Sequence, residues 1–199
     1  PEAGGVLMYG IPEYRLPKAV VRNEIKKIED LGVHFVRNCL VGTPESGVTV
    51  DSLFAEGFDA IFMGTGTALP QNLSIPGSDL RRVTQSTDFL HNVNAYVEGA
   101  LPMEMVPLRK GDKVAVIGGG NVAMDAARTA RRLGADVTVI YRRTQAEMPA
   151  IQSEYEDAVK EGVNFMWQTN SLEFLGNKKG RVCAIRLSTP EGECTEPFD

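Results

Sequence analysis

Chemistry is most visible in this chain at Gly118-Gly119-Gly120-Asn121-Val122-Ala123. The spacing fits G-x-G-x-x-A. In that pattern the first glycine permits a tight turn, the second lets main chain approach a diphosphate, and the small last residue lets a helix lie close to a strand. The run from Lys113 to Ile117 ahead of it reads as a buried strand. The stretch from Asn121 to Leu133, lined by Ala126, Ala127 and Ala130, reads as a helix. Such a helix offers unpaired N–H groups and the positive end of its dipole to an anion. A lone glycine fingerprint is weak, but a strand before it and a helix behind it set this one above an ordinary turn. A dinucleotide diphosphate is expected on Gly118, Gly119, Gly120, Asn121 and Val122.

A second constellation decides which dinucleotide. A carboxylate about 20 residues beyond the motif would bind a ribose 2′-hydroxyl and repel a 2′-phosphate. Here the strand Val137 to Tyr141 runs instead into Arg142-Arg143. A guanidinium grips a phosphate through two parallel hydrogen bonds, so this pair predicts NADP(H) over NAD(H). Hydride transfer is the cofactors' own chemistry and asks for no acid or base, so no catalytic residue is nominated. His34, in an apolar run, and His91, on a helix, read as structural, since neither accompanies a Ser or Cys nucleophile in a known pattern. Asp125 reads as a residue favoured by the helix dipole. Glu154, Glu156, Asp157 and Glu161 read as a solvated helix face, and Trp167 and the methionines as filling.

The elements that must position these residues follow from periodicity. From Lys18, Val20, Val21, Ile25, Ile28 and Leu31 recur at helical steps until Gly32. Val33 to Val36 reads as a short strand, Gly42-Thr43-Pro44 as a turn and Asp51 as a helix cap. Asp59 to Met63 reads as a buried strand ending at Gly64-Thr65-Gly66. Between Thr67 and Asp79 the composition shifts toward Pro, Gly, Ser and Asn, which marks a domain boundary. A helix is expected from Ser86 to Tyr96. Strands at Lys113–Ile117, Asp136–Tyr141 and Asn164–Gln168 alternate with helices at Asn121–Leu133 and Ile151–Glu161, an order that implies a parallel sheet with helical crossovers. Arg181 to Leu187 reads as a further strand of imperfect alternation.

Composition sets the bounds. The 199 residues are 43% hydrophobic and 24% charged, enough for one large domain or two small ones. A net charge of -5 argues against a nucleic-acid partner. No run reaches the roughly 20 apolar residues of a membrane span, and no leader-like stretch is seen. Cys39, Cys183 and Cys194 are too scattered for a disulfide framework, a zinc site or an iron–sulfur run, so no metal site is expected. They suit the reduced thiols of a cytoplasmic protein.

Two stretches together resemble one family. Gly4-Gly5 with Gly10-Ile11-Pro12-Glu13-Tyr14-Arg15-Leu16-Pro17-Lys18 is the first. Gly118 to Asp125 is the second, with Tyr141-Arg142-Arg143 and Glu147-Met148-Pro149-Ala150. Both are similar to the glutamate synthase small (beta) subunit family, which includes the electron-input part of dihydropyrimidine dehydrogenase and related ferredoxin:NADP oxidoreductases. Gly64-Thr65-Gly66, Ile75-Pro76-Gly77 and Asp88-Phe89-Leu90 extend the resemblance through nearly the whole chain. It implies an α/β protein of glutathione-reductase-like FAD/NAD(P)-binding architecture, a Rossmann-type parallel sheet plus a partial second nucleotide-binding domain. Residues 1–69 would be part of the FAD-binding domain and 70–199 an NADP-binding domain incomplete at its C-terminus.

By the same resemblance, NADPH would reduce FAD. Electrons would leave through iron–sulfur clusters in other regions to a large catalytic subunit or a ferredoxin-like acceptor, and a homo-oligomer is compatible with this. Gly4, Gly5 and Arg15 would contact FAD, Val41 would lie near its adenosine half by main chain, and Gly66 would close the flavin site. The family's cysteine-rich region, its first strand–glycine-turn–helix and its C-terminal Gly-Asp loop have no counterpart in these residues. That implies an internal fragment which lacks the FAD diphosphate cradle and is inactive alone. Two matters stay open. The terminal acceptor is 2-oxoglutarate with glutamine, a pyrimidine, or ferredoxin. The same fold also suits a non-catalytic NADP-binding regulatory module.

Overall fold

A computed structural model describes residues 2–42, 45, 47–66 and 73–198. Four helices come first: α1 Gly5–Tyr9, α2 Lys18–Asp30, α3 Val50–Ala55 and α4 Ser86–Val97. Strands β1 Lys113–Ile117, β2 Asp136–Ile140 and β3 Asn164–Met166 then alternate with α5 Asn121–Arg132 and α6 Gln152–Lys160. The chain finishes with β4 Asn170–Gly176, β5 Val182–Thr189 and β6 Gly192–Pro197.

The first three strands form a parallel sheet in the order β1-β2-β3, with Ile117 opposite Ile140 at its carboxyl end. Side chains alternate across a strand, and here both faces are apolar, as a covered parallel sheet requires. Val114, Val116, Val137 and Val139 turn toward Phe89 and Val93 of α4, Met124 and Ala127 of α5 and Ala158 of α6. Ala115, Ile117, Ile140 and Met166 turn the other way, onto Phe174, Ile185 and Leu187. Those three belong to the antiparallel sheet β4-β5-β6. The result is three layers: helices, parallel sheet, antiparallel sheet.

The parallel half matches its expected strands and helices to within a residue or two at each end. Elsewhere the structure departs from expectation. Val33–Val36 and Asp59–Met63 join no strand; Val36 is 79% exposed, Phe62 95% and Met63 76%. Strands are held by neighbours that take their N–H and C=O groups. In this part of the described chain only an isolated Val41–Val48 bridge forms. The cap of α3 is Thr49, whose side chain accepts from the Ser52 N–H while Ser52 accepts from the Thr49 N–H; Asp51 lies inside the first turn. Strands β4 and β6 were not expected at all. Thr43, Pro44 and the boundary at 67–72 lie outside the described residues.

Candidate functional site

The three glycines of the turn have three different reasons. Gly118 has φ 127° and donates its N–H to the Ile140 carbonyl at 3.0 Å, which ties the turn to the end of β2. A Cβ on Gly119 would lie 2.7 Å from two carbons of the Tyr141 ring and 3.0 Å from Met148 Cγ. That ring is fixed: its hydroxyl donates to the Glu147 carbonyl at 3.0 Å, and Trp167 meets it edge-on. Gly120 has φ −89° and ψ 174°, which any residue adopts, and a Cβ there would meet nothing within 4 Å. Packing therefore demands Gly119; at Gly120 neither backbone nor packing does, and glycine there suits both a helix N-cap and a ligand's close approach.

Gly120 is the N-cap of α5 and no side chain caps that helix, so its first N–H groups remain available to an anion. The Asn121 side chain is occupied, accepting from the Ile151 N–H at 2.9 Å, and Val122 is half exposed in the first turn. The register of β1 and β2 brings Arg142 and Arg143 alongside the turn, both exposed. Among the described residues neither guanidinium has a hydrogen bond or ion pair. The Arg143 carbonyl accepts from the Gln168 N–H at 3.0 Å, which braces the loop.

On the N-terminal side, Gly4 has φ 117° and caps α1; a Cβ there would press on Val21 at 3.0 Å and Met8 at 3.2 Å, so packing alone accounts for it. Gly5 and Gly66 have positive φ and open space around them. Val41 is exposed beside its bridge to Val48. Among the described residues no hydrogen bond joins Gly4 or Gly5 to Val41 or Gly66. Lys18, 1% exposed, holds this segment together: its ammonium donates to the Leu7 carbonyl at 2.9 Å and the Ile11 carbonyl at 2.5 Å. Asn94 of α4 donates to the Tyr9 and Ile11 carbonyls. Burial pushes the Lys18 ammonium below its usual value, with Glu13 opposing. Nothing in the sequence marked Asn94, and Lys18 entered only as the end of the Gly10 to Lys18 stretch, with no sign of its burial.

Arg15 is where the structure adds most. Its Nη1 donates to both carboxylate oxygens of Asp125 at 2.8 Å, and its Nε lies 3.4 Å from Glu154 on α6. Asp125 is 5% exposed; burial pushes its carboxyl up, with Arg15 opposing. Neighbouring Tyr14 lies under two more guanidiniums of α5, Arg132 at 3.9 Å and Arg128 at 4.8 Å from the ring centre. Its phenol is pushed up to about 12, first by burial and then by the Asp125 charge. Arg128 is held by Glu154, Asp157 and Glu161, and Arg132 by Glu161. Asp125 is thus an ion-pair partner, not merely a helix-dipole residue. Glu154 and Glu161 of the acidic run are bound to arginines instead of facing water, while Asp157 reaches Arg128 and stays half exposed.

A cavity of about 540 Å³ lies along β1, lined by Val114, Val116, Phe89, Leu108, Ile185 and Phe198 among others, but by no residue of the glycine turn. A diphosphate seat is a shallow main-chain surface at the carboxyl end of the strands, so the turn, and not this cavity, is the candidate site. No described helix is long and apolar enough to cross a membrane.

The family model for pyridine nucleotide-disulphide oxidoreductases matches residues 14–195. The NADP(+)-dependent formate dehydrogenase subunit beta of Moorella thermoacetica is 39% identical over 198 residues, 96% of this chain and 26% of that protein. The glutamate synthase [NADPH] small chain of Halomonas elongata is 36% identical over 197 residues, 96% of this chain and 41% of that protein. The chain thus spans less than half the length of either. A thioredoxin reductase from Gloeobacter violaceus superposes on 63% of this chain and 34% of its own, with a TM-score of 0.46 and 17% identity.

Proposed function

Because the chain belongs to the pyridine nucleotide-disulphide oxidoreductase family, we propose that it is the NADP(H)-binding part of a flavin-dependent oxidoreductase of glutamate synthase small-subunit type. Residues 70–199 form the NADP unit in this reading, and 1–69 part of the flavin unit. The observation that carries it is Gly120: a glycine that neither backbone nor packing requires, at the uncapped start of α5. Two guanidiniums that make no hydrogen bond or ion pair among the described residues stand one strand away, at Arg142 and Arg143.

Gly118 turns the chain, Gly120 admits the diphosphate against main chain, and the first N–H groups of α5, at Asn121 and Val122, bind it. Arg142 and Arg143 grip the 2′-phosphate. Gly119, clamped over Tyr141, fixes the height of the turn. Gly4, Gly5, Val41 and Gly66 face the flavin. Arg15 joins them through its Nη2, the part of its guanidinium that Asp125 and Glu154 leave unbound. Held there, NADPH would supply hydride to FAD, and the electrons would leave through iron–sulfur clusters elsewhere in the full-length protein to a large catalytic subunit or a ferredoxin-like acceptor. No side chain has to move a proton for that step. The three free cysteines suit a cytoplasmic setting.

The test is Arg142→Ala with Arg143→Ala in calorimetric titrations of NADPH and NADH. Charge-assisted contacts of about 1.5–3 kcal/mol each predict that NADPH binding weakens by at least roughly tenfold, with NADH little changed. Equal losses for both nucleotides would refute the 2′-phosphate assignment.

A further inference from the structure

Asn121, Asp125, Arg128 and Arg132 recur at the spacing of one helix face, and each makes a contact off α5. Asn121 holds the main chain ahead of α6, Arg128 holds Glu154 on α6, Arg132 holds Glu161 at its C-cap, and Asp125 holds Arg15. The face therefore begins at the proposed diphosphate seat and ends on the segment proposed to face the flavin. We propose that Asp125 is a positioning residue that couples the two cofactor sites: it orients Arg15, and it does so more strongly when a dinucleotide occupies the start of α5. This rests on the function proposed above.

The coupling follows from charge and burial. Asp125 sits four residues beyond Asn121, about 6 Å further along the helix axis. A diphosphate at the helix start brings negative charge toward its carboxylate, and a like charge disfavours a carboxylate left bare. Asp125 is too buried to be relieved by water, whereas Arg15 neutralises it. Arg128 and Arg132 are committed to Glu154, Asp157 and Glu161 and do not replace it. Dinucleotide binding thus favours the closed Arg15–Asp125 pair, and by linkage the closed pair favours the dinucleotide by the same factor. The contact can open from the side of Arg15, the more exposed partner at 27% against 7% for the Asp125 side chain.

The experiment uses the 199-residue chain with NADPH as the probe, reading affinity by calorimetry and amide exchange at Arg15, Leu16 and Lys18. The first two of these N–H groups donate to the Pro12 carbonyl and the third to Glu13. In the unsubstituted chain NADPH should slow exchange at all three. Arg15→Met should abolish that protection and weaken NADPH about fivefold or more, the low end of typical couplings. Adding Asp125→Asn to Arg15→Met should restore the affinity but not the protection, a recovery that a purely structural pair would not give. Protection that persists in Arg15→Met, unchanged affinity there, or no recovery in the double variant would overturn the coupling. Should Arg15→Met not fold, Asp125→Asn alone must lose the protection while still binding NADPH, and retained protection overturns it. An unsubstituted chain that does not bind NADPH sinks the dinucleotide reading; one that binds without protecting these amides sinks the coupling alone.

Discussion

Alanine at Gly119 and alanine at Gly120 should act on different properties of the protein, one residue apart. At Gly119 the new methyl would sit 2.7 Å from the Tyr141 ring and 3.0 Å from Met148 Cγ. Met148 can yield. Tyr141 cannot, with its hydroxyl bound to Glu147, its ring against Trp167 and little of it exposed. Overpacking of this kind costs about 1–3 kcal/mol. In a chain of this length each kcal/mol moves the midpoint by about 2–4 °C, so Tm should fall by roughly 2–12 °C. At Gly120 the backbone is already in a region open to alanine and the methyl meets nothing. Restricting the unfolded chain stabilises by about 0.4–1 kcal/mol, which offsets the poorer fit of alanine at a helix N-cap, so Tm should change little. The same methyl points into the proposed diphosphate seat, so NADPH affinity should drop about tenfold or more, at least about 1.4 kcal/mol. Thermal unfolding and NADPH titration of the two variants side by side separate the effects. Gly120→Ala binding NADPH normally, or lowering Tm as far as Gly119→Ala does, would refute the reasoning.

Glu161 accepts from Arg132 and Arg128, and those bonds hold its carboxyl below the usual value, Arg132 first. A depressed carboxyl contributes stability above its unfolded value, about 4.3, and loses it as pH falls through the lower folded value. Glu161→Gln should therefore cost about 1–2 kcal/mol at pH 7 and flatten the acid limb of a stability–pH curve below that point; an unchanged limb would count against the ion pair. Gly77 has φ 80°, and a Cβ there would lie 2.2 Å from the Phe174 carbonyl oxygen. Gly77→Ala should cost about 2–4 kcal/mol through left-handed strain and displacement of β4, read as a lower urea midpoint at unchanged slope.

How much of this was legible depends on how local each cause is. Lys113–Ile117, a strand of alternating small and branched residues ending at a glycine turn, carries its own instructions, and so does α5. The same helix also shows what periodicity hides. Its alanines face the sheet, as their spacing predicts, but Asn121, Asp125, Arg128 and Arg132 form an equally regular polar stripe whose partners lie far off in sequence. Arg15 meets Asp125 across 110 positions, and no local pattern points from one to the other. Strands β4 and β6 escaped because Asn170–Gly176 and Gly192–Pro197 alternate poorly; β5 between them supplies the pairing. The reverse error at Val33–Val36 and Asp59–Met63 has the same root, since strand-like composition without a neighbouring strand makes no sheet. The glycine turn between β1 and α5 was the most readable element, because its shape depends on main chain and sequence order, which a motif records.

The exposed run around Phe62 should govern how copies of this 199-residue chain associate. Ala60-Ile61-Phe62-Met63 is an uncharged apolar run without proline, a short exposed patch of the kind that favours contact with another molecule. With Phe62 95% and Met63 76% exposed, a neighbouring molecule can reach it in the native state, with no unfolding required. Association through this run should then depend on protein concentration and hardly at all on how stable the core is. Tightening the packing around Leu187 or Val139 would raise the melting point and leave precipitation untouched, while a single charge placed at Phe62 would do the reverse.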